Sequence, residues 1–147
     1  MIKYVLRIGL MSKARPRFNP KTGHAYHDPK YKHWMIKVAA LLKKKNVKPL
    51  NYFYCLVFDI HLKNRRVIDA DNIIGSFLDC AVTAKMIPDD SVKHLKRFWV
   101  CADIDSREYI SIYVCRNMFE FLEVLGRLSS DPDLIEYAIL RKKQNDH

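Results

Sequence analysis

The sequence has no CxxC pair, no His cluster to complete a zinc-ligand spacing, no internal repeat and no low-complexity tract. Its four cysteines, Cys55, Cys80, Cys101 and Cys115, lie far apart and read as reduced core thiols. No apolar run approaches the length of a membrane span. The N-terminal stretch MIKYVLRIGL is too short, and too interrupted by Lys3 and Arg7, for a signal peptide. A cytoplasmic protein with no membrane partner and no small-molecule cofactor is therefore expected. Acidic residues are also scarce: 16 Asp and Glu stand against 26 Lys and Arg, a formal charge of +10. The basic residues are spread along the whole chain, so the folded surface itself should be positive and a polyanion is the natural partner.

What is present fits a single globular domain. The chain has 147 residues, 49% of them hydrophobic, enough to bury a core. Ile2, Tyr4, Leu6 and Ile8 alternate with Lys3, Val5 and Arg7, the period of a strand with one buried face. From Met11 to Pro29, three prolines, Gly23 and many basic residues predict a long loop, long enough to need a function. Asp28 and Pro29 suit an N-cap and first-turn proline for a helix through about Lys45. A second strand follows from about Tyr52 to Lys63. Ile73, Ile74, Phe77, Leu78, Ala81 and Val82 then form a helical stripe over about 71–85. Two further strands, near Lys93–Cys101 and Glu108–Cys115, flank a polar turn and are expected to pair as a hairpin. From Asn117 onward the chain reads as two helices separated by SSDPD, with Asp131 as N-cap of the second. The expected fold class is α+β, a single mixed β-sheet with helices packed on it and a C-terminal helical extension.

The segment from Arg65 to Lys93 carries the chemistry, because acids cluster there at the two ends of a helix in an otherwise basic protein. Asp69 and Asp71 stand two apart where strand gives way to helix, and in extended backbone such side chains project to one side with Cα atoms roughly 6–7 Å apart. Two carboxylates so placed can converge on one cation. Magnesium takes hard oxygen ligands and keeps several waters, so two or three carboxylates and a substrate phosphate make an adequate site. Asp89 and Asp90 are further candidates if the chain returns beside the strand that ends near Asp69. Simpler roles stand beside this one: Asp69 or Asp71 as helix cap, Asp89 and Asp90 as turn residues after Pro88.

The run DADN at 69–72, FLDC at 77–80 and IPDD at 87–90 resembles the RusA family of Holliday junction resolvases, whose pattern is DxDN, an LDAL-like helical segment and a terminal DD. The stretch KARPRFNPKTGHAYHDPKY, Lys13 to Tyr31, resembles the basic Pro-Arg loop of phage-type members. This resemblance implies a nuclease domain over 1–116 and a helical extension over 117–147, packed on the same domain or on a dimer partner. It implies a magnesium-dependent homodimeric endonuclease that binds four-way-junction DNA and nicks it in recombination and repair, with Asp69, Asp71 and Asp90 as catalytic metal ligands. Asp79 is expected to support structure or the dimer rather than to ligate metal. The family also places a lysine four residues after the second aspartate, where this chain has Gly75. A cation borrowed from elsewhere, such as Lys85 or Lys93, is the expected substitute, and a catalytically weak, structure-selective DNA-binding protein on the same scaffold is the alternative.

Lys13, Arg15, Arg17 and Lys21 in the first loop, with Lys63, Arg65 and Arg66 before the acidic pair, are the expected phosphate contacts. Phe18, Tyr26 and Tyr31 either stack at a branch point or pin the loop to the domain. A basic RNA-binding module is a third reading, in which RNA outcompetes branched DNA.

Overall fold

A computed structural model describes residues 1–13, 15–63, 69–129 and 136. Its elements are β1 (Ile2–Leu6), β2 (Arg17–Asn19), β3 (His24–Tyr26), α1 (Pro29–Lys44), β4 (Cys55–Lys63), α2 (Ala70–Thr83), β5 (Phe98–Asp105), β6 (Tyr109–Cys115) and α3 (Met118–Leu128). Four strands form one mixed sheet in the order β1-β6-β4-β5, with β4 and β5 parallel and the other neighbours antiparallel. The fold is α+β, as the element order predicts.

Strand β4 is central because both of its faces are apolar. Leu56, Phe58 and Ile60 enter the main core beneath α1 and α2, while Cys55 and Val57 enter a smaller core with Tyr113, Cys115 and Val124 of α3. Further along the second face, Asp59 is only 5% exposed. A carboxylate so buried needs a partner. The His61 Nε2 lies 2.9 Å from it, with Asp105 3.5 Å from Nδ1 and the Tyr109 ring stacked on the imidazole at 4.1 Å.

Helix α1 starts as its sequence dictates: the Asp28 carboxylate accepts from Lys30 N at 2.8 Å, and Pro29 occupies the first turn. Tyr31, Trp34, Val38, Ala39 and Leu42 form its buried stripe. Helix α2 buries Ile73, Ile74, Phe77, Leu78 and Ala81, and the two helices meet where Trp34 packs edge-on to Phe77 at 5.3 Å.

Two expectations are corrected here. The strands at the end of the sheet do not form a hairpin: β4, α2 and β5 make a crossover with β5 parallel at the outer edge, and β6 lies on the opposite side of β4. Burial explains the choice. Strand β6 is buried along nearly its whole length and suits an interior position, whereas β5 is mostly exposed and carries Asp103 and Asp105, which suits an edge. The second correction concerns the stretch before α1, which contains a two-stranded hairpin, β2 with β3. Its turn forms because the Asn19 side chain accepts from Lys21 N and Gly23 takes φ of +69°, where a side chain is strained.

Cys55, Cys80 and Cys115 are buried, Cys101 is half-buried, and all are free thiols. Burial pushes Cys55 up to about 11 and Cys80 and Cys115 up to about 12, which keeps them unreactive. Among the described residues no helix is long and apolar enough to cross a membrane. The second C-terminal helix expected from the sequence lies outside the described residues.

Helix α3 is held to the sheet through Glu120. Asn117 caps it by accepting from Glu120 N, and the Glu120 carboxylate accepts from the Arg116 guanidinium and backbone N–H and from the N-terminal ammonium. These contacts, Arg116 first, hold Glu120 down to about 2. Stability from this group is complete above the ordinary Glu range and lost as pH falls from about 4.5 to about 2. Glu120→Gln should cost about 1–2 kcal/mol at neutral pH after discounting for the exposed guanidinium. The difference should shrink to nothing near pH 2. Urea melts of the two proteins across that range check this, and a gap independent of pH would refute it.

Candidate active site

The chain leaves β4 at Lys63 and enters α2 at Ala70, so Asp69 stands at the N-cap position with extended backbone, φ of −67° and ψ of 125°. Its carboxylate makes no capping bond; Oδ2 accepts instead from the Asn72 side chain at 3.3 Å. Asp71 follows in the first helical turn and is exposed. Of the two roles open to this pair, capping is thus not what Asp69 does. Both carboxylates face solvent at a helix start, where the peptide dipoles favour anions.

Past that pair, one flank of α2 is covered by the loop that follows β1. The segment Met11–Lys13 lies along it, because Lys13 N donates to Asn72 O at 2.9 Å and the Ser76 hydroxyl sits 2.7 Å from Met11 O. The Lys13 side chain runs over Gly75, and a Cβ at 75 would stand 3.3 Å from the Lys13 Cδ. Its ammonium then reaches Asp79 Oδ1 at 3.0 Å, while Tyr31 donates its hydroxyl to Asp79 Oδ2 at 2.8 Å. Burial, and next the Asp79 carboxylate, hold the Tyr31 hydroxyl well above the usual phenol range, so it remains a donor. Asp79 therefore supports structure, joining loop, α1 and α2 at one point.

Beside Asp79 lies a groove, a cavity of about 340 Å³ that includes Lys13, Tyr31, Asp79, Asp89 and Asp90 in its lining. Asp89 is engaged in its own turn: Ser91 first and then His94 hold its carboxyl down to about 2. Among the described residues Asp90 makes no such turn contact, and it lines the same cavity. Among the described residues, the His27 Nδ1 in the same lining is buried without a hydrogen-bond partner.

The structure places Asp69 and Asp71 at the start of α2 and Asp90 against its later turns, beside Asp79, Val82 and Thr83. Among the described residues, no three His, Cys, Asp or Glu side chains come together as a set able to hold a metal ion. By donor chemistry, Asp69 and Asp71 suit magnesium; a three-carboxylate cage is not assembled among the described residues. The side chain that passes over Gly75 is that of Lys13. Sequence reasoning had Lys13 only as a phosphate contact. The signal available was the mid-helix glycine, which costs stability unless something approaches closely.

Arg15, Arg17, Lys21 and Lys63 are exposed, with Arg17 paired to Asp28 at 3.1 Å. Arg65 and Arg66 lie outside the described residues. The aromatics divide: Tyr31 is buried, whereas Phe18 is 66% and Tyr26 43% exposed on the β2–β3 hairpin. A separate concavity of about 540 Å³ lies on the other face of the sheet, lined in part by Lys3, Arg7, Asp59 and Tyr109.

Compared with known proteins, the chain matches the family described as Endodeoxyribonuclease RusA over residues 8–108. No curated protein matches it.

The Tyr31–Asp79 bond generates a test of the groove's rigidity. Tyr31→Phe removes one hydrogen bond to a partly buried carboxylate and should cost about 1–2 kcal/mol. The urea midpoint should fall with an unchanged denaturant slope, and an unchanged midpoint would show that Asp79 is held without the hydroxyl.

Proposed function

The chain belongs to the RusA endodeoxyribonuclease family, and from that premise we propose that it is a magnesium-dependent endonuclease that binds Holliday junctions and other branched DNA and nicks them in recombination and repair, acting as a homodimer. Asp69, Asp71 and Asp90 are the residues that would hold the ion. The observation that carries this reading is the exposed carboxylate pair at the start of α2, with Asp69 making no capping bond, on the helix whose later turns line a cavity with Lys13 and Asp90 in a protein of charge +10. Because magnesium is content with few carboxylates, waters and phosphate oxygens, the reading assigns completion of its shell to the bound DNA. When bound, the ion supplies neutralisation of the phosphodiester and a readily ionised water.

The chain's own residues do the rest. Arg15, Arg17, Lys21 and Lys63, with Arg65 and Arg66, take backbone phosphates irrespective of base identity, which makes affinity steeply salt-dependent. Exposed Phe18 and Tyr26, on a hairpin that also presents Arg17, are available to stack on bases unpaired at a branch point. A second reading, a catalytically weak structure-selective DNA-binding protein, is favoured by the absence of an assembled carboxylate set among the described residues and by Gly75.

One experiment separates the two. Asp71→Asn should bind a labelled four-way junction like the parent chain yet cleave no more with magnesium than the parent does with chelator. Without DNA, magnesium at 100 times its dissociation constant should stabilise the parent by about 2.7 kcal/mol and the variant by much less. Binding without magnesium-dependent cleavage by the parent would establish the second reading. For the hairpin, Phe18→Ala should weaken junction binding by about 1–3 kcal/mol while leaving linear duplex binding nearly unchanged. Equal losses on both DNAs in a gel-shift titration would remove Phe18 from branch recognition.

A further inference from the structure

We infer that Lys13 is the cation that meets the phosphate undergoing cleavage, and that Gly75 is glycine because the Lys13 side chain passes across it. The inference rests on the nuclease reading above and adds to it the origin of the positive charge: a loop, not the helix that carries the acids.

The backbone of Lys13 is fixed on α2. Its N–H donates to Asn72 O, one residue from Asp71, and Ser76 holds Met11 two residues before it. From that anchor the side chain crosses the helix at Gly75, where even a methyl group would press on Cδ at 3.3 Å. The ammonium ends 3.0 Å from Asp79 Oδ1, in the cavity that Asp90 also lines. Lys13 thus runs from beside Asn72 to the cavity that Asp90 lines, and among the described residues it is the one lysine or arginine in that lining. Asp79 accepts from the buried Tyr31 as well, so its carboxylate is oriented before any DNA arrives.

A purely structural role does not account for this arrangement. The Lys13 side chain is 40% exposed and the Asp79 side chain 25%, and a pair so solvated contributes little to stability. An ammonium has three N–H donors, of which Asp79 uses one. The others remain for phosphate oxygens, where a compact charge already in position stabilises the negative charge that develops as the phosphodiester is attacked. Asp79 and Gly75 are positioning residues in this scheme, one aiming the ammonium and the other clearing its path.

The test compares the parent chain, Lys13→Ala, Gly75→Lys and the double variant Lys13→Ala/Gly75→Lys. Single-turnover cleavage of saturating four-way junction is measured in magnesium, junction affinity in chelator, and folding by thermal melts. Lys13→Ala should slow cleavage on the order of 100-fold while Kd changes by less than about threefold. The double variant, which launches a lysine from the helix at the vacated path, should recover most of that rate. Lys13→Ala cleaving at the parent rate with weakened binding would overturn the inference and make Lys13 a phosphate anchor only. A double variant that melts like the parent yet stays as slow as Lys13→Ala would overturn it as well. If the parent itself cuts no branched DNA, the nuclease reading fails and takes this one with it, an outcome distinct from both.

Discussion

The carboxylate of Asp79 is the joint on which the groove depends. It accepts from Tyr31, which α1 buries, and from Lys13, which arrives on the loop after β1, so three separate parts of the chain are held together on one flank of α2. The aromatic stack behind it, Tyr31 on Trp34 and Trp34 edge-on to Phe77, makes the joint rigid from the core side, and Trp34 Nε1 donates to Gly9 O to fix the start of the loop. A weak, half-solvated ion pair on a firm backing is suited to handing its ammonium to a substrate.

The same helix divides labour by face. Its apolar stripe packs on the sheet and α1, its first turn presents Asp69 and Asp71 to solvent, and its remaining flank carries Asn72, Gly75, Ser76 and Asp79 beneath the loop. Because β4 and β5 are parallel, α2 must run back across the sheet between them, and the turn after it brings Asp89 and Asp90 alongside its later turns. Acids and bases thereby lie close on a surface that is basic in aggregate, the electrostatic setting in which a polyanion is attracted broadly and neutralised locally.

The opposite face of the sheet follows different physics. There the buried Asp59 is compensated by His61, itself flanked by Asp105 and covered by Tyr109, while α3 covers the neighbouring apolar end. Glu120 anchors that helix to the first residue of β1's approach and to the end of β6 at once. This face holds Asp59 and Glu120 in local partnerships, whereas Asp69 and Asp71 at the start of α2 are exposed.

Much of this was legible in the order of residues. The N-cap at Asp28, the stripes of α1 and α2, the alternation of β4 and the DADN and IPDD motifs are local patterns, and local patterns follow from backbone periodicity and capping. What only the tertiary structure decided was partnership. Nothing local to β5 and β6 says that β4 comes between them; that outcome depends on which strand is buried on both faces. Nothing local to Gly75 names Lys13, 62 positions earlier, as what crosses it, and nothing local to Asp79 names Tyr31. The sequence by itself determined the charge, the elements and the acids available, because these are properties of neighbours along the chain. Folding alone decided which cation stands among those acids, because that depends on contacts made after the chain has closed on itself.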